Sequence, residues 1–253
     1  MKYTVILPIN EWNSTIKEYY IKAITSIRGE NVKLLVVTSV NPSELPPLVG
    51  LETEIISNNG ANDFCSQVNL GVQKTNTEWF SILEVDDKYS PNWFTNVDKY
   101  TNAYSDIDVF LPIVADIDET GKFLSFTNET LWAVGFSDIQ GYLDNQALLE
   151  FQNFQISGAV YRTEIFKKFG QLKSNIKLSF GYEFLLRLTH NNVKIMTIPK
   201  IGYKHTNMRT NSLFWKYKND EQHKLSKNEG KFWMDAAKKE YYFLEQRDIS
   251  YSE

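Results

Sequence analysis

The chain has 253 residues, of which 42% are hydrophobic and 23% charged, and its formal net charge is -4. That length can bury a sizeable core, and the composition is typical of a soluble globular protein. A net negative charge argues against a nucleic-acid partner or an anionic membrane surface. The single cysteine, Cys65, excludes an intramolecular disulfide. Because no apolar run approaches the roughly 20 residues that span a bilayer, we expect a cytoplasmic protein without a transmembrane segment.

The first part of the chain alternates between strand-like and helix-like segments. Apolar, β-branched runs predict four buried strands, at 3–9, 32–40, 53–57 and 79–83. Apolar residues at helical spacing predict two helices, at 16–27 after a cap at 13–15 and at 64–74. This rhythm of strands and helices is typical of a parallel sheet with helical crossovers.

The second part of the chain is less regular. Its pattern predicts a helix at 90–104, a strand at 108–114, a hairpin that turns at 119–121, a strand passing into a helix over 154–170, a helix at 182–192 and a strand at 193–199. Residues 218–246 are predicted to form a helical tail with one apolar face.

Polar clusters lie at the carboxyl ends of all four strands of the first part, at 10–11, 38–39, 58–60 and 84–87. Ligands bind at the carboxyl ends of strands in parallel sheets, so these clusters predict a ligand site. Glu84 and Asp86 should point the same way, where two like charges repel unless a cation lies between them. Taken alone, Asp-Asp before Ser-Pro is ordinary turn chemistry. Because four such clusters share one edge of the predicted sheet, a ligand site is favoured over a simple turn.

A resemblance to a known family rests on seven segments in order: VILPIN, LLVVTS, NNGANDFCSQVNLGV, EWFSILEVDD, ISGAVYRTEIFKKFG, YEFLLRL and IGYKHTNMRTNSLF. Together they resemble the GT-A glycosyltransferases, specifically the large family 2. The resemblance implies an α/β fold with a Rossmann-like, mostly parallel central sheet flanked by helices. It also implies a domain at 1–214, with a nucleotide-sugar-binding half (1–105) and an acceptor-binding half (106–214). Residues 215–253 would be a C-terminal helical extension.

Enzymes of this family move a sugar from a nucleotide diphosphate donor to a hydroxyl, usually with Mn²⁺ or Mg²⁺. The resemblance therefore implies a metal-dependent, inverting, hexosyltransferase-like enzyme acting on a glycan or another hydroxyl acceptor. A UDP-sugar is the expected donor, and UDP-glucose is chosen only because it is common. One alternative is a non-catalytic domain that binds nucleotide sugar or glycan. A nucleotidyltransferase is disfavoured, because LPINEWNST after the first strand contains no glycine for a phosphate loop.

The resemblance also assigns roles to individual positions. Asp86 in LEVDD matches the DXD-type motif and is the predicted direct metal ligand, while Glu84 replaces the usual first Asp and is predicted to reach the ribose. Asp87 is predicted to reach the metal through water, or the donor sugar. His205 is the second predicted metal ligand, with a loop-bonding histidine as the alternative. The predicted nucleotide-sugar contacts are Pro8, Asn10, Glu11, Thr38, Asn69, Glu84, Asp87, Lys204 and Arg209.

An inverting transfer needs a carboxylate base that deprotonates the acceptor hydroxyl. The family usually carries Glu-Asp just ahead of a helix with a Tyr-x-x-x-x-Arg-like pattern. Aligning Arg187 with that arginine puts residues 180–181, Phe-Gly, at the Glu-Asp position. Glu183 is then the first candidate base, and an i,i+4 pair with Arg187 is its structural alternative. Asp144 is the second candidate base.

Overall fold

In the computed structural model of the protein, the described residues are 1–47, 49–58 and 63–250, and for residues 240 and 242–250 only the backbone is described. Most of the polar cluster predicted at 58–60 therefore lies outside the described residues. Within them the strands are β1 (Tyr3–Ile9), β2 (Val32–Thr38), β3 (Thr53–Ser57), β4 (Trp79–Ile82), β5 (Lys88–Tyr89), β6 (Val109–Ile117), β7 (Phe123–Thr127), β8 (Tyr142–Leu143), β9 (Val160–Arg162) and β10 (Ile195–Thr206).

Eight α-helices lie among and after these strands in the described part of the chain. They are α1 (Ser14–Ser26), α2 (Phe64–Lys74), α3 (Trp93–Ala103), α4 (Asn145–Glu150), α5 (Thr163–Phe169), α6 (Phe180–His190), α7 (Leu213–Asn219) and α8 (Lys227–Ser250). The Asn13 side chain accepts a hydrogen bond from the Ile16 N–H at the start of α1, as expected of an N-cap residue. No helix among the described residues is both long enough and apolar enough to cross a membrane.

All the strands belong to one sheet, in the order β3-β2-β1-β4-β9-β6-β10-β5, with β7 beside β6 and β8 beside β10. β1 is parallel to β2 and β4, β2 is parallel to β3, and β6 is parallel to β10. Because β9 is antiparallel to both β4 and β6, those two strands run in the same direction. The strands β1, β2, β3, β4, β6 and β10 therefore all end at one edge. The predicted α/β architecture is confirmed, with an antiparallel strand joining its two parallel parts.

Helices cover both faces of the sheet, and β1 shows why. Ile6 belongs to the hydrophobic cluster on one face, which includes residues of α2, α5 and α6. Val5 and Leu7 belong to the cluster on the other face, which includes residues of α1 and α3. Alternate side chains of a strand point to opposite faces, so a strand that is apolar throughout needs a layer on each side. The result is a three-layer arrangement with the sheet in the middle.

The C-terminal tail is helical, as predicted, but it consists of two helices. Residues 220–226 separate α7 from α8, and the predicted boundary after residue 214 falls inside α7. Ala237 and Tyr241 of α8 are buried against the core beside α6. Ser179 also contacts α8, because its hydroxyl donates a hydrogen bond to the Trp233 carbonyl at 2.8 Å. The tail thus covers part of the core.

Candidate active site

A cavity of about 820 Å³ opens at the edge where the parallel strands end. Its walls include residues that end or follow β1, β4, β6 and β10, and loop residues at 152–157 and 174–178. The first turn of α6 and most of α7 complete the wall. This is the ligand position that parallel strands and helical crossovers predict, since the strand ends leave a crevice there.

Glu84 leads the turn that follows β4. Its backbone N–H donates to the Tyr203 hydroxyl at 3.0 Å, and its carboxylate Oε1 accepts a bond from the Ser157 hydroxyl at 2.6 Å. The N–H of Asp87 donates back to the Glu84 carbonyl at 3.1 Å and closes a tight turn. These contacts fix the backbone on both sides of Asp86, because each engages a group of the turn that has no partner within the sheet.

The end of β10 holds the two aspartates of this turn. The Thr206 N–H donates to Asp87 Oδ1 at 2.7 Å, and the Thr206 hydroxyl donates to the Asp86 carbonyl at 2.6 Å. His205 Nδ1 lies 3.0 Å from Asp87 Oδ2. Asp86 Oδ2 accepts a charge-assisted bond from Arg209 Nε at 2.7 Å. Residues 118 to 123 positions apart in the sequence therefore form one polar network.

Three residues of this network form a cluster that could hold a metal ion. Each of Glu84, Asp87 and His205 offers a ligand atom, and those atoms all lie within 4.8 Å of one another. Two carboxylate oxygens and an imidazole nitrogen suit a divalent cation such as Mn²⁺, while Mg²⁺ prefers oxygen ligands. The donor set therefore fits the expected type of ion.

Burial and like charge make this cluster electrostatically unusual. Burial, followed by the nearby charges of Asp87 and Asp86, raises the pKa of Glu84 to about 7. Burial alone would lower the pKa of His205, but Asp87 and the other two carboxylates raise it to about 10. The raised pKa means that the imidazole of His205 holds a proton, which partly balances the three carboxylates. A histidine that ligates a metal must give up that proton. A bound cation would supply the missing positive charge.

The residues of the cluster that could hold a metal ion differ from the predicted metal ligands at Asp86. Its carboxylate pairs with Arg209, and the cluster contains Glu84 and Asp87 in its place. Burial, followed by the charge of Asp87, raises the pKa of Asp86, and Arg209 partly offsets that rise. The cluster that could hold a metal ion therefore consists of Glu84, Asp87 and His205, and direct ligation by Asp86 stays a prediction.

Seven of the predicted site residues line the cavity: Pro8, Asn10, Glu11, Glu84, Asp86, His205 and Arg209. Asp87 lies directly behind this wall, where it bonds His205 and Thr206. These eight positions come from three strand ends that are distant in the sequence. The parallel arrangement brings them together because it places all the strand ends at one edge.

Three predicted nucleotide-sugar contacts lie outside the cavity wall. The Thr38 hydroxyl is buried and accepts a bond from the Val40 N–H at 3.0 Å. The Asn69 amide donates to the Leu172 carbonyl and accepts from the Leu172 N–H, both at 2.9 Å. Lys204 is exposed, one position from His205 on a strand whose side chains alternate. The proposed site therefore does not include Thr38, Asn69 or Lys204.

The two predicted bases also lie outside the cavity wall. The Glu183 side chain is fully buried and is engaged by Arg187 at 3.0 Å, Lys173 at 2.9 Å and the Tyr241 hydroxyl at 2.6 Å. The Asp144 side chain caps α4 by accepting from the Ala147 N–H at 2.7 Å. The i,i+4 pair of Glu183 with Arg187, the structural alternative given above, is present. It belongs to a larger group of ion pairs and hydrogen bonds that joins α6 to α8.

Replacing Glu183 with glutamine is expected to lower the free energy of unfolding by about 2 kcal/mol, because charge-assisted bonds to two cations are lost at a buried position. Urea unfolding measures this change. Any nucleotide diphosphate release should survive in the folded variant, since Glu183 does not line the cavity. A folded variant without release would restore Glu183 as the base.

Sequence reasoning missed the residues that position the turn. Ser157, Tyr203 and Thr206 each bond Glu84, Asp86 or Asp87. None carries a charge or a metal-ligand spacing, so the only available signal was their place near Gly158 and His205 in segments that carry the resemblance. Asp116 was missed because the predicted strand stopped at residue 114, whereas β6 continues to Ile117.

Comparisons with known proteins identify the fold. A crystal structure of S. aureus TarS 1-349 in complex with UDP-GlcNAc superposes with a TM-score of 0.61 over 84% of this chain, at 14% identity. The complex of the same protein with UDP has a TM-score of 0.60 over 81% of this chain, at 13% identity. The protein has a GT-A fold. The aligned region spans 60% of TarS 1-349 and 37% of a longer TarS structure. No protein-family model and no curated protein matches the sequence.

Proposed function

We propose that the protein is a glycosyltransferase that binds a nucleotide diphosphate sugar in the cavity and transfers the sugar to a hydroxyl acceptor. The observation that carries the proposal is the cluster of Glu84, Asp87 and His205 at the strand-end edge of a GT-A sheet. The TarS complexes with UDP and UDP-GlcNAc support a UDP-sugar as the donor class. UDP-glucose remains a donor to test beside UDP-GlcNAc.

The residues around the cavity have distinct tasks in this reaction. Pro8, Asn10 and Glu11 at the end of β1 provide the wall for the nucleoside. Mn²⁺ or Mg²⁺ held by Glu84, Asp87 and His205 would neutralise charge on the departing diphosphate. Arg209 lines the same wall, and its guanidinium has further N–H donors beyond the Nε that bonds Asp86. Such donors suit a phosphate oxygen, so Arg209 would orient the diphosphate.

The transfer would be a single displacement that inverts the anomeric centre. The acceptor oxygen forms a bond to the anomeric carbon while the bond from that carbon to the diphosphate oxygen breaks, and the diphosphate leaves with the electron pair. Pre-positioning of the donor by the strand-end residues would supply much of the rate, because it removes the cost of bringing the reactants together.

Nucleotide diphosphate release tests this proposal. We expect the protein to release UDP from at least one member of a panel of UDP- and GDP-sugars in the presence of Mn²⁺. EDTA should suppress release, and added Mn²⁺ should restore it, because the charge on the diphosphate would otherwise stay uncompensated. Asp106→Asn is a suitable control variant, since Asp106 is an exposed surface residue paired with Lys194. Release that EDTA leaves unchanged would contradict the metal-dependent mechanism.

A non-catalytic domain that binds nucleotide sugar is the second candidate function. One observation favours it: Gly181 occupies the position where the family carries a carboxylate, and Glu183 is enclosed by its ion pairs. The same assay separates the two functions. Saturable UDP binding measured by calorimetry, without release from any donor in the panel, would establish the binding domain.

A further inference from the structure

Asp116 is a buried carboxylate on the wall of the cavity that the proposed mechanism has not used. It lies near the end of β6, is 6% exposed, and contributes to the cavity lining. In the parallel pairing of β6 with β10, Asp116 stands opposite His205. Neighbouring strands lie about 5 Å apart, so Asp116 borders the metal-binding cluster on its β6 side.

The hydrogen bonds of Asp116 hold its carboxylate in one orientation. The Ser125 hydroxyl donates to Oδ2 at 2.9 Å, and the Thr127 hydroxyl donates to the same oxygen at 2.8 Å. Within the described part of the chain, Oδ1 has no hydrogen-bond partner. Oδ1 is not one of the fully buried side-chain oxygens that lack a partner, and Asp116 lines the cavity. A ligand hydroxyl in the cavity can therefore donate to Oδ1.

The other carboxylates of the cavity wall are engaged or exposed. Both oxygens of Asp63 accept bonds from Ser66 at the start of α2. Glu84 belongs to the cluster, and Asp86 pairs with Arg209. Glu11 is exposed and follows β1. Asp116 is thus the buried carboxylate of this wall that lies outside both the cluster and any ion pair among the described residues.

We infer that Asp116 is the catalytic base that accepts the proton of the acceptor hydroxyl, an inference that rests on the proposed glycosyltransferase function. The acceptor O–H proton moves to Asp116 Oδ1 as the acceptor oxygen bonds to the anomeric carbon, and the diphosphate leaves with the electrons of the broken bond. The hydroxyls of Ser125 and Thr127 keep Oδ1 turned towards the cavity. A carboxylate from β6 would then replace the one that the family places near residue 181.

The test compares Asp116→Asn with Asp118→Asn, using UDP-GlcNAc and UDP-glucose with Mn²⁺ and water as the acceptor. Asparagine is nearly isosteric and its carbonyl oxygen can still accept from Ser125 and Thr127. Asp118 lies in the same hairpin, where its carboxylate bonds Thr120 and Lys122 and does not line the cavity. We expect Asp116→Asn to lower UDP release at least about 100-fold, with UDP affinity unchanged. Asp118→Asn should release UDP at the original rate.

Sodium azide separates a base from a structural residue, because the azide anion can attack the anomeric carbon without losing a proton. We expect azide to restore UDP release in Asp116→Asn, with a glycosyl azide as the product. Unchanged release by Asp116→Asn, or a loss that azide leaves in place, would overturn the inference.

A second variant, Ser125→Ala, keeps the carboxylate and removes one bond to the hairpin. We expect it to lower UDP release less than Asp116→Asn does, because the Thr127 hydroxyl still donates to Oδ2. A loss as large as that of Asp116→Asn would also overturn the inference. If the unaltered protein releases UDP from no donor, the proposed function fails first, and the role of Asp116 fails with it.

Discussion

Replacing Asp87 with asparagine is expected to weaken Mn²⁺ binding by at least about 10- to 100-fold and to lower UDP release by a similar factor. The substitution removes one of the carboxylate charges of the cluster and the acceptor that faces His205 Nδ1. The amide oxygen can still accept the Thr206 N–H, so the turn after β4 should persist. Titration calorimetry with Mn²⁺ and the release assay measure the two effects.

Asp86→Asn distinguishes the structural assignment from the sequence-based one. Asp86 pairs with Arg209 and stands outside the metal-binding cluster, so its replacement should affect Mn²⁺ affinity less than Asp87→Asn does. Asp106→Asn serves as the surface control. A larger loss of Mn²⁺ affinity in Asp86→Asn would favour the DXD-based prediction that Asp86 is the direct ligand.

Replacing Gly158 with alanine is expected to lower the free energy of unfolding by about 2 to 5 kcal/mol. Gly158 has φ +78°, a left-handed conformation that costs other residues roughly 1–2 kcal/mol. A Cβ at this position would also lie 2.4 Å from the ring of Tyr203, which is fully buried. Relieving such a contact in a packed core costs typically about 1–3 kcal/mol.

The same substitution should also disturb the candidate site, because the Tyr203 hydroxyl accepts a hydrogen bond from the Glu84 N–H. We expect weaker Mn²⁺ binding in Gly158→Ala even where the variant is folded. Gly121→Ala is the matched control: Gly121 has φ +88°, and a Cβ there would meet nothing within 4 Å. Thermal unfolding of the pair isolates the contact with Tyr203, since both variants bear the backbone strain. Equal stability of the two variants would show that the Tyr203 ring can move away from the added methyl group without lowering the free energy of unfolding.

Local sequence pattern was enough to predict the strands and helices of the first part of the chain and the edge of the sheet that carries the site. Helix α2 was predicted with the bounds that the structure has, because its apolar residues recur at helical spacing after a turn cluster. The structure adds that Asp63 caps this helix. The tail was predicted as one helix, although two occur, because its composition does not mark the break at 220–226. Strand β9 was predicted without its direction, since pairing direction depends on partners far away in the chain.

Partners of the charged groups were the hardest feature to predict. Glu84 and Asp87 are near each other in sequence, but the histidine that completes their cluster lies 118 positions beyond Asp87. For Glu183, the sequence showed Arg187 at i+4, whereas Lys173 and Tyr241 reach it only through packing between elements. The sequence does not show which groups surround a carboxylate in the folded protein. Those groups decide whether the carboxylate acts as a metal ligand, a base or a member of a structural ion pair.

The sequence by itself determined the strand-and-helix rhythm and the carboxylates that follow β4, because backbone period and turn chemistry are local properties. From these a parallel sheet and its ligand-binding edge could be inferred, while the resemblance of seven segments to a known family implied the GT-A fold. Only the tertiary structure decided that Glu84 and Asp87 lie with His205 in a cluster that could hold a metal ion, and that Asp86 pairs with Arg209. The register of β6 against β10 likewise placed Asp116 beside His205. Register and ion pairing arise between distant segments, so they are set only when the sheet is assembled.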